Sequence, residues 1–282
     1  MNILSGTPFQ ESGGWSEGSK EAEIYRLMNG SSHPYSYRYP GELNFEMTLR
    51  NSIVESAKAM HQSAASFATF ETTRVNPQYW YMTEFGGFRL RPGARPSDAI
   101  RDIFTNGSYY GFECAGAMLI IYYDAVLRVL GERTFNQLFP DLFIYSWHAD
   151  SDLGIHPTRT MNFLPGDVVY FENPDFDLRT PHWRGENAVV LGGGLYFGHG
   201  IGIMTAEQMI QSLNSTRRPG AFQSAYLSDL VVRPSFSYLS NFTTGIRSAS
   251  IMKQQSVIVL HNEVSIPLPR YRMYLTMVHY QG

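Results

Sequence analysis

The chain has 282 residues, a net charge of −3 and 43% hydrophobic content, enough for one large domain with a substantial core. With no basic stripe and no acidic tail, it suits neither nucleic acid nor a membrane as partner. Its single cysteine excludes an internal disulfide and makes a reducing cytosol the default place of synthesis.

The start, Met1-Asn2-Ile3-Leu4-Ser5-Gly6, has neither the basic residues nor the apolar core of a signal peptide. Residues 1–41 are rich in Gly, Ser, Pro and Tyr with little periodicity, and a loosely ordered arm is expected there. Leu49, Ile53, Ala57, Met60, Ala64 and Phe67 then recur at three- and four-residue steps, which predicts an amphipathic helix. Tyr79–Met82 and Gly87–Leu90 read as a short hairpin. Pro96-Ser97-Asp98 opens another helix, stopped by Asn106-Gly107.

Cys114 comes next, followed at once by the apolar run Ala115–Tyr123. The run predicts a buried helix ending near Gly131, too short for a membrane span once Asp124 interrupts it. Cys114 then sits in the first helical turn, where free N–H groups and the helix dipole favour a thiolate. A buried cysteine that only fills space is the plain alternative. Glu113 reads as a helix-start carboxylate that complements the dipole. Its charge also opposes ionisation of the neighbouring thiol.

Leu142–Trp147 reads as a strand, and from Pro165-Gly166-Asp167 onward the pattern turns to strands, beginning with Val168–Phe171. Trp183–Leu191, the glycines 192–194 and Leu195–His199 form a predicted β-hairpin. If its turn is Gly192-Gly193, Glu186 lies opposite His199, poised to orient a base for Cys114. A three-residue loop instead sets His199 against Asn187. Thr205-Ala206-Glu207-Gln208 has capping-box spacing and opens a helix to about Leu213. Residues 237–282 look like a strand-rich extension to a domain spanning 42–236. His61, His148, His156 and His182 lack metal-ligand spacing, no calcium loop or phosphate loop occurs, and no metal or cofactor is expected.

Phe112-Glu113-Cys114-Ala115, Trp183-Arg184-Gly185-Glu186-Asn187 and Tyr196-Phe197-Gly198-His199-Gly200 occur in the order Cys, Glu, His. Together with Ser66–Phe70, Ala99–Ile103, Gly166–Pro174 and Gly220–Leu227, they resemble the small bacterial spore-coat transglutaminases. The resemblance implies an α+β, papain-like core of the NlpC/P60 kind, with the cysteine at a helix N-terminus facing an antiparallel sheet. It implies calcium-independent transfer of a glutamine acyl group to a lysine amine. Its substrates would be proteins supplying those two side chains, coat proteins first among them. Synthesis would be in the mother cell, with a destination in the spore coat. The family's catalytic residues map to Cys114 as nucleophile, Glu186 as acid/base and His199 in support, with Glu113 as a partial substitute. Its tunnel walls map to Phe67, Trp147 and Trp183. Two alternatives remain: an NlpC/P60-type cysteine hydrolase, which usually carries a His where this chain has Glu186, and a structural coat protein with a non-catalytic cysteine.

Overall fold

A computed structural model of the chain describes residues 2–4, 7–8, 15–31, 34–243 and 257–279. Helices α1 (Lys20–Gly30), α2 (Pro40–Gln62), α3 (Pro96–Thr105) and α4 (Cys114–Leu138) precede the main sheet. That sheet holds β1 (His156–Arg159), β2 (Val168–Glu172), β3 (Gly185–Gly192), β4 (Leu195–Gly198), β5 (Gly202–Thr205) and β6 (Tyr226–Arg233), with α5 (Ala206–Asn214) between the last two. Its order is β5-β4-β3-β2-β6-β1, with every neighbour antiparallel. Helices α6 (Phe236–Ser240) and α7 (Leu268–His279) follow. The fold is thus a mixture of helices and antiparallel sheet.

Residue parity along the strands explains the layering. Val168, Val189, Leu191 and Val232 join the core made with α2, α3 and α4. Val169, Phe171, Ala188, Val190 and Val231 pack on the opposite face, against Met209 and Leu213 of α5. The α4 helix is buried almost all round over Cys114–Leu127, so it is a core helix although it is long and apolar enough to span a membrane. Each large side chain it buries stabilises the fold by roughly 1.5–3 kcal/mol. The helix expected to end near Gly131 is interrupted there, at φ 76° and ψ 163°, a conformation open essentially to glycine alone, but helix resumes beyond it to Leu138.

The expected hairpin forms from Trp80–Met82 and Phe88–Leu90, and Phe143–Ile144 adds a third strand beside Phe88 and Arg89. The Thr205 capping box is present, with both reciprocal hydrogen bonds. Three expectations need correction. Helix α2 ends at Gln62, so Ala64 and Phe67 lie beyond it; Ala64 has φ 63°, and Phe67 runs parallel to Phe112 in a two-residue strand. The helical spacing past Gln62 is coincidental: Ala64 is exposed, and Phe67 packs on His182. The arm contains an ordered helix, α1, whose Ile24 and Met28 are fully buried and whose Ser19 side chain caps its first turn. The tail's described residues hold no strand. Residues 257–267 run irregularly into α7, and Val259, Val264 and Ile266 are buried rather than paired.

One buried ionic cluster ties α2 to the sheet. The Arg50 guanidinium donates to Glu46 at 2.8 Å, to Asp167 at 2.7 Å and to the Pro165 carbonyl at 3.1 Å. Arg233 of β6 donates to both Asp167 oxygens, at 2.7 and 2.8 Å. Asp167 therefore holds a turn, a helix and a strand at once.

Candidate active site

Cys114 opens α4, as its sequence position predicts, and is fully buried. Glu113 is the N-cap. Its carboxylate accepts from the Ala115 N–H at 2.9 Å and the Gly116 N–H at 2.6 Å. These are the donors that an open helix start would have offered to a thiolate or an oxyanion, and a buried cap has taken them. Two of the N–H groups expected to favour a thiolate are therefore already taken. Burial, with the charges of Glu186 and Glu113 added, instead pushes the Cys114 thiol well above its ordinary value.

The β3–β4 register decides which residue meets the thiol. Glycines 192, 193 and 194 all have positive φ, between 60° and 88°. Gly193-Gly194 makes the two-residue turn between Gly192 and Leu195, and a bulge follows at Leu191. Ala188 then pairs with Gly198. The position opposite His199 belongs to Asn187, and Glu186 is not the cross-strand partner of His199. The turn falls one residue later than Gly192-Gly193, which moves the register by two, and the bulged residue takes one back. Asn187 has the parity of Val189 and faces α4, where its Nδ2 donates to Cys114 Sγ at 3.3 Å and to the Ile266 carbonyl at 3.0 Å.

Glu186 is also buried. Its carboxylate is held by main chain rather than by the imidazole: the Gly200 N–H donates to Oε1 at 3.3 Å, and the His199 N–H lies within reach. A Cβ at Gly198 would sit 2.8 Å from both Cγ and Oε1 of Glu186. The stretch Gly198-His199-Gly200 thus wraps the carboxyl, a role its lack of a phosphate-loop pattern did not suggest. Burial pushes the Glu186 carboxyl up to about 8. The His199 ring stacks on Phe112, with centroids 4.8 Å apart, and burial lowers it to about 4. At neutral pH Glu186 is mostly protonated and His199 is neutral.

The expected substrate walls take different places. The Phe67 ring lies near Gly200 and the Glu186 carboxyl, and packs on His182, which in turn packs on Trp183. Trp147 is buried on the helical side, and its Nε1 donates to the Ile266 carbonyl at 2.8 Å. Asn187, Ser265 and Tyr170 also belong to the site and were missed. Ser265 lies beside the thiol with its buried hydroxyl making no hydrogen bond among the described residues, and the Tyr170 hydroxyl donates to the Ser265 carbonyl at 3.0 Å. Adjacency to Glu186 was the one signal for Asn187. Ser265 lies 151 positions from Cys114 in a segment without a motif. Among the described residues, no group of three or more His, Cys, Asp or Glu side chains could hold a metal ion.

A family model described as protein-glutamine gamma-glutamyltransferase matches residues 1–243. The chain belongs to the protein-glutamine gamma-glutamyltransferase family. Family membership makes it an acyl-transferring enzyme. A relative of that name from Halalkalibacterium halodurans is 47% identical over 275 residues, covering 98% of this chain and 97% of that protein. One from Bacillus mycoides is 44% identical over 224 residues, covering 79% of this chain and 81% of its own length. Among solved structures, a transglutaminase from Geobacillus stearothermophilus, described as lacking its C-terminal extension, is similar. Its TM-score is 0.70 at 48% identity, over 73% of this chain and 98% of that one.

Proposed function

We propose that this enzyme is a calcium-independent transglutaminase that crosslinks proteins of the spore coat, with Cys114 as its nucleophile. Family membership supports the transfer of glutamine acyl groups to lysine amines. A papain-like reading is supported by a thiol that opens a helix and faces an antiparallel sheet through Asn187. The spore-coat reading rests on the likeness of the Cys, Glu and His motifs to coat transglutaminases. The missing calcium loop supports metal-free chemistry.

In this mechanism one proton circulates between Cys114 and Glu186. The reactive form holds a thiol and a Glu186 carboxylate. As sulfur attacks the glutamine carboxamide, the thiol proton passes to Glu186, and Asn187 donates to the developing oxyanion. Glu186 returns the proton to the departing nitrogen, so ammonia leaves and a thioester remains. A neutral lysine amine then attacks the thioester, Glu186 takes the amine's proton, and the thiolate recovers it as the isopeptide forms. A carboxyl raised to about 8 can both accept and donate near neutral pH. His199, lowered to about 4, is the weaker base of the two, stays unprotonated near neutral pH and supports the Glu186 loop. Phe67 and Trp183 flank Glu186 and hold back water that would hydrolyse the thioester.

The carrying observation is a buried thiol that opens a helix and accepts from Asn187, near enough to the main-chain-cradled Glu186 carboxyl for its charge to raise the thiol, in a chain of this family. The test is incorporation of a labelled primary amine into a glutamine-containing protein without calcium, beside Cys114→Ala. Incorporation lost in the variant is expected. Deamidation or peptide cleavage without incorporation would favour the hydrolase, and no Cys114-dependent chemistry would favour a structural protein.

A further inference from the structure

A fully buried thiol cannot attack a glutamine on another protein, so something over Cys114 has to move. What lies over it is the tail. Residues 257–267 cross the site without regular structure, and core side chains grip them through the main chain. The Trp147 indole and the Asn187 amide both donate to the Ile266 carbonyl, at 2.8 and 3.0 Å. The Tyr170 hydroxyl donates to the Ser265 carbonyl at 3.0 Å. The Tyr145 hydroxyl donates to the His261 carbonyl and accepts from the His261 N–H at 2.9 Å. Every carbonyl in this set belongs to the tail and accepts from a core side chain, and the His261 N–H returns one bond to the Tyr145 hydroxyl.

We propose that residues 257–268 are an intramolecular occupant of the acyl-donor cleft, with the Ile266 carbonyl standing where the carbonyl of a substrate glutamine binds, so that the full chain is latent. This rests on the transglutaminase reading above and adds its regulation and its mode of substrate recognition. One Asn187 amide touches both the nucleophile and the Ile266 oxygen, as an oxyanion donor touches sulfur and substrate. Gripping by carbonyls rather than side chains means that the cleft accepts an extended polypeptide of varied sequence. Ser265 adopts φ 58°, a strained conformation for a non-glycine residue, and the grip on its neighbours maintains it. The tail lies beyond residues 1–243, the part that the family model matches, and the similar Geobacillus stearothermophilus structure lacks its C-terminal extension, so the core is a unit that folds without the tail. A partly exposed ion pair, Arg184 to Glu263 at 3.0 Å, clamps the tail to the core from outside the cleft, and Arg270 braces Glu263 from within the tail at 2.5 and 2.7 Å. This clamp gives a handle that leaves the cleft untouched.

Because Cys114 is the only cysteine, its alkylation by iodoacetamide reports access to the site directly. The full chain, a 1–243 truncation and full-length Glu263→Arg are compared, each with and without a synthetic peptide of residues 257–279. Alkylation at least tenfold faster in 1–243, faster in Glu263→Arg, and slowed again in 1–243 by the peptide is expected. Equal rates in the full chain and Glu263→Arg, or in the full chain and 1–243, would overturn the inference. Amine transfer is measured on the same samples. If alkylation responds to the tail but no form transfers, the tail occupies the cleft and the transglutaminase reading fails. If all forms transfer with one KM and alkylate at one rate, the transglutaminase reading stands and the occupant does not.

Discussion

The Asn187 amide lies 3.3 Å from Cys114 Sγ, the only side-chain hydrogen-bond donor to the thiol drawn from the sheet among the described residues. At the helix start the Ala115 and Gly116 N–H groups are already held by the Glu113 carboxylate. Asn187→Ala is therefore expected to lower kcat by about 10²–10³ with little change in KM, the cost of losing one oxyanion donor. Steady-state kinetics on a glutamine-containing substrate test this. A raised KM with kcat retained would make Asn187 a binding residue only.

Gly198 places Glu186 by leaving room for it. A methyl group there would fall 2.8 Å from the Glu186 carboxyl oxygen and Cγ, contacts that force one of them to move. Gly198→Ala should cost about 1–3 kcal/mol of stability, as overpacking of a close-packed site does. It should also lose most transfer activity, matching Glu186→Gln, which removes the proton carrier without adding bulk. Two variants equally inactive, with only Gly198→Ala destabilised in urea, is the expected pattern. A fully active Glu186→Gln enzyme would take Glu186 out of the chemistry.

Much of this was legible because it is local. The Thr205 capping box, the Pro96 helix start and the apolar run after Cys114 each depend on neighbours within a turn or two. The register of β3 and β4 was not legible, because three glycines in a row allow several turns, and the bulge at Leu191 depends on what each face packs against. That shift of one residue exchanged Glu186 for Asn187 opposite His199. Helical spacing misled at Ala64 and Phe67, because the helix ends at Gln62, Ala64 is exposed and Phe67 packs on His182 instead. Ser265 and Ile266 reach Cys114 from 151 and 152 positions away, a distance that periodicity and motif spacing do not see.

The buried acid and base should leave opposite marks on stability against pH. Glu186 is raised from 4.5 to about 8, so the native chain keeps a proton that the unfolded chain has released. Its stabilising contribution is whole below pH 4.5 and is lost as pH rises through about 8. His199 is lowered from 6.5 to about 4, so its contribution is whole above pH 6.5 and is lost as pH falls towards 4. Glu186→Gln should then lose less stability than the parent between pH 5 and 8, with both behaving alike in the acid limb. Urea unfolding at pH 5, 6.5 and 8 measures the difference. Parallel curves would place Glu186 in a solvated environment.

Asp167 gathers more of the fold than any residue at the active site. Two guanidiniums, Arg50 and Arg233, and the Leu164 N–H all donate to its buried carboxylate. Those charges hold Asp167 below the usual carboxylate range against the opposing effect of burial. Its contribution is therefore present above its unfolded pKa and is lost as pH falls through the lower folded one. Asp167→Ala leaves Arg50 fully buried with Glu46 as its one remaining acidic partner, and should destabilise by about 3–5 kcal/mol, the usual cost of orphaning a buried charge. Arg50→Met together with Asp167→Leu removes the pair with less change in volume, and should recover part of that loss. Denaturant midpoints of the single and double variants decide it. If the double variant is no more stable than Asp167→Ala, the cluster matters for the contacts it makes with Pro165, Leu164 and Arg233 rather than for its charge.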